Sequence, residues 1–304
     1  MIDILLATYN GAKYIDLQIF SLINQSYTDW KLYIHDDGST DNTVEIIKKW
    51  VSKDSRIIFI DDEDKHLGPG NNFLHLLKYS TSEYICFCDQ DDFWFENKLD
   101  EYVQKMDSKD NSKPNCCIFS AYLWNKTAIT PFLNEMPKNL ESLLFTGGTQ
   151  GCSMVFNKEL VKKASIISNQ SIFLHDYLVA FIAMVFGEYM SSSSRLMLYR
   201  QHSENVTAHM PKNKVEKILN ALIRNRKKSF IYPKMYTDLK TIYATYKNQL
   251  TESQRKTLET YFLLPNLNKV KRFIKILFSS FTIGQHSHIY FVIKFLSRRT
   301  YLES

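Results

Sequence analysis

Two groups of acidic residues follow apolar strand patterns, and their positions suit the binding of a nucleotide and a metal ion. Asp36 and Asp37 come after Trp30–His35, and Asp89–Asp92 comes after Tyr84–Phe87. In an open α/β sheet, ligands bind in the crevice beyond the carboxyl ends of the strands. Mg²⁺ and Mn²⁺ prefer hard oxygen ligands, usually one or two carboxylates plus substrate phosphates. The pattern indicates an enzyme that acts on a nucleotide-activated substrate.

The individual acids have different expected roles. Asp89 and Asp91 are one residue apart, so one carboxylate can reach the metal while the other reaches the sugar of a nucleotide. A carboxylate at Asp36 or Asp37 can accept a hydrogen bond from a pyrimidine N–H, and backbone groups of Thr8–Gly11 can reach the same base. The alternative for Asp89 and Asp91 is a solvated acidic turn. The alternative for Asp36 and Asp37 is a helix N-terminus, where acids lie near the positive end of the helix dipole.

The elements that would position these residues alternate between strand and helix. Strands are predicted at Ile2–Ala7, Trp30–His35, Arg56–Ile60 and Tyr84–Phe87, and helices at Ala12–Asn24, Thr43–Val51 and Phe73–Tyr79. Asn42 and Glu45 have the spacing of a capping box for the second helix. Strands that are separated by helices of this length predict crossover units and a parallel sheet.

The pattern loosens after a polar connection at Asp107–Asn115. Further strands are predicted at Cys116–Trp124, Ser153–Asn157 and Tyr189–Tyr199, with a helix at Phe173–Phe186. From about residue 212 the pattern is almost wholly helical. The sequence therefore predicts an α/β fold with a mostly parallel sheet flanked by helices, followed by a helical C-terminal region.

Composition and charge narrow the class further. The chain has 304 residues, of which 44% are apolar, and this suits one large globular domain or two smaller ones. Residues 1–150 carry 14 Lys and Arg against 23 Asp and Glu, whereas residues 151–304 carry 24 against 9. An acidic front half suits metal binding. A basic rear half suits an anionic partner such as phosphate, a membrane surface or nucleic acid.

The five cysteines do not indicate disulfides. Their number is odd, and Cys86 and Cys88 lie in one predicted strand, where period-2 geometry directs both side chains to one face. We expect reduced core residues in a cytoplasmic protein. The start of the chain lacks a secretory signal pattern, and the longest apolar run, Tyr177–Phe186, is too short for a membrane-spanning helix.

Three motifs occur in order along the first part of the chain, namely Ala7–Asn10, Asp36–Ser39 and Asp89–Trp94. Together they resemble the family 2 inverting glycosyltransferases, which have the GT-A fold. The segments Asp89–Asp92 and Tyr199–His202 are most similar to the bacterial rhamnosyltransferase branch. Tyr177 stands where Trp is expected in that branch, and Ala208 stands where Gly is expected, so the donor sugar stays open.

The resemblance implies roles for residues at the strand ends. It assigns Thr8 and Asp37 to the base, Asp89 to the neighbourhood of the ribose, and Gly68 and Asn72 to a loop that closes over the nucleotide. It assigns Asp91 to the divalent cation, Mg²⁺ or Mn²⁺, that bridges the diphosphate. Asn10 is a further predicted contact of the donor. The donor would be a dTDP- or UDP-sugar.

The second half extends the resemblance to the acceptor side. Gly151–Asn157 resembles the acceptor-side strand, and Asp176 lies where the family has its catalytic base, although Asp at a helix start is otherwise often a cap. As general base, Asp176 would take the proton from the acceptor hydroxyl during its attack on the anomeric carbon. A leaving diphosphate needs its charge stabilised, so Arg200 and His202 are candidates for diphosphate contact, and His202 for metal ligation.

These assignments predict a metal-dependent hexosyltransferase that moves rhamnose from dTDP-rhamnose to an acceptor hydroxyl of a lipid-linked surface polysaccharide. One alternative is a glycosyltransferase with a UDP-hexose donor. Another is a non-catalytic nucleotide-binding adaptor, against which the intact Asp37, Asp91 and Asp176 argue. A nucleotidyltransferase would need a glycine-rich basic phosphate loop, which Thr8–Ala12 lacks.

The resemblance predicts a glycosyltransferase domain at residues 1–210, with a nucleotide-sugar half at about 1–107 and an acceptor half at about 108–210. Residues 211–304 would form a separate basic helical region. Within it, Lys269–Arg299 contains seven Lys and Arg and no acid, with apolar residues at helical spacing.

This pattern predicts an amphipathic helix on an anionic membrane surface, and the alternative is a helix packed on the protein's own core. Nucleic acid is not a predicted partner, because basic character is its only support. The expected location is cytoplasmic, peripheral on the inner face of the plasma membrane.

Overall fold

The computed structural model describes residues 1–125, 127–132, 136–145, 149–167, 171–202, 231–283 and 286–296. Ala208 and the predicted domain boundary at residue 210 lie outside these ranges. The chain divides into two compact units. The first comprises residues 1–134 and 150–202, and the second comprises residues 135–149 and 203–304.

The first unit contains an α/β fold whose elements we number in chain order. The strands are β1 (Ile2–Thr8), β2 (Trp30–Asp36), β3 (Ile57–Ile60), β4 (Tyr84–Asp89), β5 (Phe93–Trp94), β6 (Asn115–Trp124), β7 (Ile129–Pro131), β8 (Met154–Asn157) and β9 (Glu188–Arg200). The helices are α1 (Ile15–Ile23), α2 (Thr43–Val51), α3 (Pro69–Leu76), α4 (Lys98–Asp107), α6 (Lys158–Ala164) and α7 (His175–Phe186).

Within the described residues the strands form one sheet in the order β3-β2-β1-β4-β8-β6-β9-β5, with β7 paired to β6. The first four strands of the chain are parallel neighbours, as their helical crossovers require. Beyond β4 the sheet is mixed, because β8 runs antiparallel to both β4 and β6 and β5 runs antiparallel to β9. The predicted α/β class is confirmed, and parallel pairing is concentrated in the half that carries the acidic motifs.

The core explains why these segments form these elements. Alternate residues of β1, namely Ile2, Ile4 and Leu6, join one buried cluster with the apolar stripe of α1 at Ile15, Ile19 and Leu22. Cys86 and Cys88 of β4 enter the same cluster, so the predicted shared face is confirmed. All five cysteines are buried and free.

The predicted capping box of α2 does not form. Asn42 already has near-helical backbone angles, φ −76° and ψ 14°, and its side chain makes no capping hydrogen bond. The carboxylate of the preceding residue, Asp41, takes that place and accepts the N–H of Thr43 at 3.1 Å. The spacing predicted the helix correctly but assigned its cap to the wrong acceptor.

The second unit is helical where it is described. Its helices are α5 (Leu140–Leu143), α8 (Pro233–Tyr246), α9 (Glu252–Leu263), α10 (Lys269–Leu277) and α11 (His288–Leu296). Phe145 forms edge-on ring contacts with Tyr261, Phe281 and Phe291, and these aromatic rings build a core for the unit. None of the helices in the described part of the chain has the length and apolar character that a membrane span needs.

Candidate active site

Parallel pairing brings the carboxyl ends of β1, β2 and β4 to one edge of the sheet. Thr8 is the register partner of Asp36 on one side of β1, and Ala7 is the partner of Asp89 on the other. Motifs from three separate parts of the sequence therefore begin at the same level of the sheet. This is the edge at which an open α/β sheet binds its ligand.

Asp36 builds the turn that follows β2. Its Oδ1 accepts the N–H groups of Gly38 and Ser39 at 3.1 and 2.7 Å, and its Oδ2 accepts the hydroxyl of Thr8 at 2.8 Å. Gly38 has a φ of +90°, and a Cβ there would lie 2.8 Å from the His66 ring. Asp36 and Gly38 thus have structural reasons for their identities.

Asp37 joins the β2 turn to the loop before α3. Its carboxylate accepts the N–H groups of Leu67 and Gly68 at 2.7 and 2.9 Å. Gly68, with φ +78°, is the N-cap residue directly before α3. The structure therefore brings together two of the residues assigned to the nucleotide, Asp37 and Gly68.

The two asparagines assigned to the nucleotide have partners of their own. The side-chain carbonyl of Asn10 accepts the N–H of Thr40 at 2.8 Å, on an exposed loop. The amide of Asn72 is buried, and its Oδ1 accepts a hydrogen bond from Nδ1 of His35 at 2.7 Å. The donor-binding assignments of Asn10 and Asn72 stay predictions, and in the structure Asn72 fastens α3 to β2.

The acidic motif after β4 is a crowded set of carboxyl groups. Burial and the neighbouring charge of Asp91 raise the pKa of Asp89. The same two causes raise the pKa of Asp92, which is fully buried. Oδ1 of Asp92 accepts the backbone N–H of Arg200 at 3.0 Å, and its Oδ2 has no hydrogen-bond partner in the described structure. A cation bound at this motif would therefore stabilise the ionised form of its carboxyl groups.

Lys98 is a buried cation beside this motif, and the sequence patterns did not single it out. Its Nζ donates to the carbonyl of Cys152 at 2.7 Å and lies 3.6 Å from the centre of the Trp94 ring. Burial lowers the pKa of Lys98, and the nearby Asp92 is among the groups that oppose this shift. A signal was present, because Lys98 shares one face of α4 with the buried Tyr102 and Met106 at four-residue spacing.

The two residues predicted to ligate a metal lie together. Nε2 of His202 is 2.6 Å from Oδ2 of Asp91, and the His202 ring stacks on Tyr14 with centroids 4.7 Å apart. Arg200 Nε donates to the Asp91 carbonyl at 2.7 Å, so both candidate residues at the end of β9 contact Asp91. A carboxylate oxygen and an imidazole nitrogen that converge in this way fit a divalent cation that accepts mixed oxygen and nitrogen ligands, such as Mn²⁺.

Asp176 occupies the first turn of α7 and does not cap it. The N-cap residue is Leu174, which makes no side-chain cap, while Oδ1 of Asp176 accepts the N–H of Tyr177 at 2.8 Å. A Cβ at Gly151 would lie 3.4 Å from the Asp176 Cβ, so the turn before β8 packs on this residue. The charge of Asp176 also contributes to the raised pKa of Asp89, which shows that the candidate base lies within electrostatic range of the acidic motif.

His175, next to the candidate base, is held as a neutral ring. It stacks on Phe73 with centroids 4.1 Å apart and meets Phe87 edge-on at 4.7 Å. Burial lowers the pKa of His175 to about 3. The imidazole therefore stays uncharged near neutral pH and acts as part of the packing that orients the start of α7.

Gln90 is a second residue that the patterns missed. Its side-chain Oε1 accepts the Tyr9 N–H at 3.0 Å, and its Nε2 donates to the Tyr9 carbonyl at 2.9 Å. A Cβ at Gly11 would lie 2.1 Å from Oε1 of Gln90, so Gly11 leaves room for this amide. The loop after β1 and the acidic motif after β4 are fastened to each other.

Known proteins provide comparisons for this geometry. Residues 3–162 match the family described as Glycosyl transferase family 2. The dTDP-rhamnosyl transferase RfbG of Shigella flexneri is 31% identical over 241 residues, which cover 73% of this chain and 80% of that protein.

A second relative matches a shorter region. The Escherichia coli protein named UDP-Glc:alpha-D-GlcNAc-diphosphoundecaprenol beta-1,3-glucosyltransferase WfgD is 33% identical over 106 residues, which cover 35% of this chain and 42% of that protein. Among solved structures, S. aureus TarS 1-349 in complex with UDP-GlcNAc has a TM-score of 0.59 at 16% identity, covering 91% of this chain and 78% of that chain. At that identity the likeness establishes the fold alone.

Proposed function

Because the chain belongs to glycosyltransferase family 2 and has the GT-A fold, we propose that it is a rhamnosyltransferase that uses dTDP-rhamnose. The acceptor would be a hydroxyl of a lipid-linked surface polysaccharide. One observation carries the proposal of an active enzyme: Asp91 and His202, 111 positions apart in sequence, converge beside the strand ends. The identity to the Shigella flexneri dTDP-rhamnosyl transferase supports the donor.

Asp176 is the proposed general base. It removes the proton from the acceptor hydroxyl as that oxygen attacks the anomeric carbon from the face opposite the diphosphate, which inverts the configuration. A carboxylate suits this task because the proton moves late, once the sugar has gained oxocarbenium character. Tyr177 and His175 hold its position, the first through its N–H and the second through packing against Phe73.

Asp91 and His202 are the proposed ligands of Mg²⁺ or Mn²⁺. The cation, when bound, would neutralise charge that develops on the leaving diphosphate. Arg200 holds the Asp91 backbone through its Nε, and its guanidinium lies 3.7 Å from the centre of the Trp124 ring. This stacking keeps the cationic group of Arg200 beside Asp91, where it can also contact a phosphate.

The donor nucleotide is proposed to bind along the sheet edge. The residues proposed for it are Thr8, Asn10, Asp37, Gly68, Asn72 and Asp89. The hydrogen bonds from Leu67 and Gly68 to Asp37 support a base pocket there, because they fix the loop that would cover it. The proposed domain comprises residues 1–210, with donor contacts at about 1–107, acceptor contacts at about 108–210 and a helical region at 211–304.

A screen of sugar nucleotides tests the function. Purified protein is incubated with dTDP-rhamnose, dTDP-glucose, UDP-glucose or UDP-GlcNAc, with Mn²⁺ or with EDTA, and binding is measured by calorimetry. The proposal expects binding that needs the cation and favours dTDP-rhamnose. Preference for a UDP-hexose would show that the donor is not dTDP-rhamnose. The name of the E. coli relative, which includes UDP-Glc, supports this alternative. Binding without turnover of any donor, tested with isolated lipid-linked glycan, would favour the adaptor.

An attachment to the membrane is proposed for the second unit. One side of α10 and the residue after it expose apolar side chains, namely Val270, Phe273, Ile274, Leu277 and Phe278. Lys269, Lys271 and Lys275 belong to the same helix. An exposed apolar patch bordered by cations is typical of a helix that lies in the interface of an anionic bilayer. We propose a cytoplasmic enzyme, peripheral on the inner face of the plasma membrane.

A further inference from the structure

A second cluster of histidine and aspartate lies at the β2 side of the sheet and shares no member with the Asp91–His202 pair. His35 is near the end of β2, Asp62 follows β3, and His75 is in the last turn of α3. Nε2 of His35 lies 3.1 Å from Oδ1 of Asp62, and Nε2 of His75 lies 2.8 Å from Oδ2. The three ligand atoms are all within 4.8 Å of one another.

The other nitrogen of each imidazole ring also faces an oxygen. Nδ1 of His35 lies 2.7 Å from Oδ1 of Asn72, and the Asn72 amide cannot be turned round, because its Nδ2 faces the His35 carbonyl at 3.4 Å. Nδ1 of His75 lies 3.4 Å from a carboxylate oxygen of Asp64. Each ring therefore has an acceptor on both sides.

A neutral imidazole carries one N–H, so one nitrogen of each ring must direct a lone pair at an oxygen unless something positive lies between them. The Nδ1–H groups suit Asn72 and Asp64, which leaves both Nε2 lone pairs directed at Asp62. Histidines that bind metals nearly always show this arrangement, with the second ring nitrogen donating to a carboxylate or carbonyl. The alternative is a pair of protonated rings.

Charge and burial favour a cation at this point. His35 is fully buried and His75 nearly so, while the Asp62 side chain is 29% exposed and gives the cluster an opening to solvent. Asp62 stands in a run of four acids, residues 61–64. The hydroxyl of Tyr79 donates to Oδ2 of Asp62 at 3.0 Å and so helps to hold this carboxylate in place.

We infer that His35, Asp62 and His75 form a site for a divalent transition cation of the Zn²⁺ class. Two imidazoles and one carboxylate are a common protein ligand set for Zn²⁺, which leaves a fourth position for water. Ligands about 2.1 Å from a tetrahedral ion lie roughly 3.4 Å apart, so the cluster needs side-chain adjustments of about an ångström. Mg²⁺ is a poor occupant because it prefers an all-oxygen shell.

The bound cation would hold the loop between β3 and α3 in place at the edge of the proposed base pocket. Asp62 lies near the start of the β3–α3 loop, and Leu67 and Gly68 at its end are hydrogen-bonded to Asp37. A cation on His35 and His75 ties the start of this loop to β2 and α3, so both ends of the loop are fastened. This role concerns the structure of the loop and does not depend on which sugar nucleotide binds.

The test is zinc binding in an Asp91→Asn background, which removes the other carboxylate–imidazole pair. Equilibrium dialysis against buffered Zn²⁺ with excess Mg²⁺ should find one tightly bound Zn²⁺ per chain. Adding Asp62→Asn should weaken it by more than the 10–100-fold that an outer-shell change typically costs. Asp61→Asn, which changes an exposed neighbour, is the matched control and should bind zinc as the background does.

Two further measurements do not require the Asp62 variant, so they remain valid if that variant misfolds. Co²⁺ added to the Asp91→Asn protein should give the visible absorption of a four-coordinate site, and Zn²⁺ should displace it. Removal of Zn²⁺ should speed hydrogen exchange at the amides of Leu67 and Gly68. Equal zinc affinity in the background and in Asp62→Asn, or no saturable Co²⁺ spectrum, would overturn the metal site and leave a pair of protonated histidines around Asp62.

Discussion

Nε2 of His202 lies 2.6 Å from Oδ2 of Asp91, although the strands β5 to β9 lie between them in the chain. The contact exists because β5, just after Asp91, pairs with the end of β9 just before His202. The register Phe93–Leu198 therefore decides whether the two ligand atoms converge. A shift of this pairing by one residue would reverse the faces of every side chain in the ribbon.

The first prediction concerns the metal. Asp91→Asn replaces a charged ligand with a neutral amide of the same shape, so transfer should be abolished and metal-dependent donor binding weakened, with the fold retained. The measurement is transfer rate against Mn²⁺ concentration, with circular dichroism as the check on folding. Exposed Asp110→Asn is the control and should behave as the wild type. Full activity in EDTA would remove the metal role.

The second prediction concerns the base. Asp176→Asn should leave donor affinity near normal and lower kcat by about 10²–10⁴-fold, the usual contribution of a general base. Rates at saturating donor and acceptor measure this. The exposed Glu188→Gln at the start of β9 is the matched control. A rate within a few-fold of the wild type would assign Asp176 to local structure at the start of α7.

The third prediction concerns Lys98. Lys98→Met removes a buried ammonium group that donates to the Cys152 carbonyl, so the free energy of unfolding should fall by about 1–3 kcal/mol, as when a buried hydrogen-bonding group loses its partner. Because Asp92 is one of the groups that act on the pKa of Lys98, adding Asp92→Asn should change the free energy of unfolding by less than it does in the wild type. Urea titrations of the two single variants and the double variant form the cycle. Strictly additive effects would show that Lys98 acts through its contacts with Trp94 and Cys152 instead.

The fourth prediction concerns pH. Burial and Asp91 raise the pKa of Asp92 in the native state above the roughly 3.9 of an unfolded chain. Above about pH 4 the native state then binds more protons than the unfolded state, so stability must fall as pH rises. The Tm of metal-free wild type should decline between about pH 5 and 8 more steeply than that of Asp92→Asn. Parallel pH profiles for the two proteins would contradict this.

The fifth prediction concerns membrane attachment. Ile276, Phe281 and Phe291 are buried in the second unit, so deleting the tail would damage its core. The better variant is Lys271→Gln with Lys275→Gln, which should lose about 2 kcal/mol of attraction to anionic lipid, roughly 30-fold in affinity. Cosedimentation with phosphatidylglycerol vesicles measures it.

The apolar side of the same attachment is tested separately. Phe278→Ser should also weaken vesicle binding, because it removes an apolar group that can enter the bilayer. Phe278 is 84% exposed, so the substitution should leave the packing of the core unchanged. Ile166→Ser, at a 56% exposed apolar residue of the first unit, is the matched control. Wild-type protein that never binds these vesicles would assign the exposed side of α10 to a protein partner.

Local patterns predicted much of the parallel half of the fold. Period-2 apolar runs and intervening helices located β1 to β4 within a residue or two. The acids at the ends of β2 and β4 lie at one edge of the sheet, as expected for parallel strands joined by helical crossovers. The convergence of Asp91 with His202 followed from the family resemblance, since spacing alone cannot join residues so far apart. The antiparallel pairing of β8 with β4, and that of β5 with β9, depends on long-range contacts that a local sequence pattern does not predict.

The missed residues were missed for physical reasons. Lys98 is charged, and a charged residue at the start of a helix usually faces solvent, so its type does not predict its place on the buried face of α4. His35, Asp62 and His75 come from a strand, a loop and a helix, and only the folded chain brings their ligand atoms together. Clusters of this kind have no fixed sequence spacing.

The amide of Gln90 has a consequence for the engineering of donor specificity. Because it bonds both backbone groups of Tyr9, and because a side chain at position 11 would occupy its place, the loops after β1 and β4 form one structural unit. A chimera that imports residues 9–11 from a relative without that relative's residue at position 90 would leave the backbone groups of Tyr9 without these two hydrogen bonds. Grafts should therefore carry residues 9–11 and 90 together, and libraries that vary these positions independently should yield mostly inactive proteins.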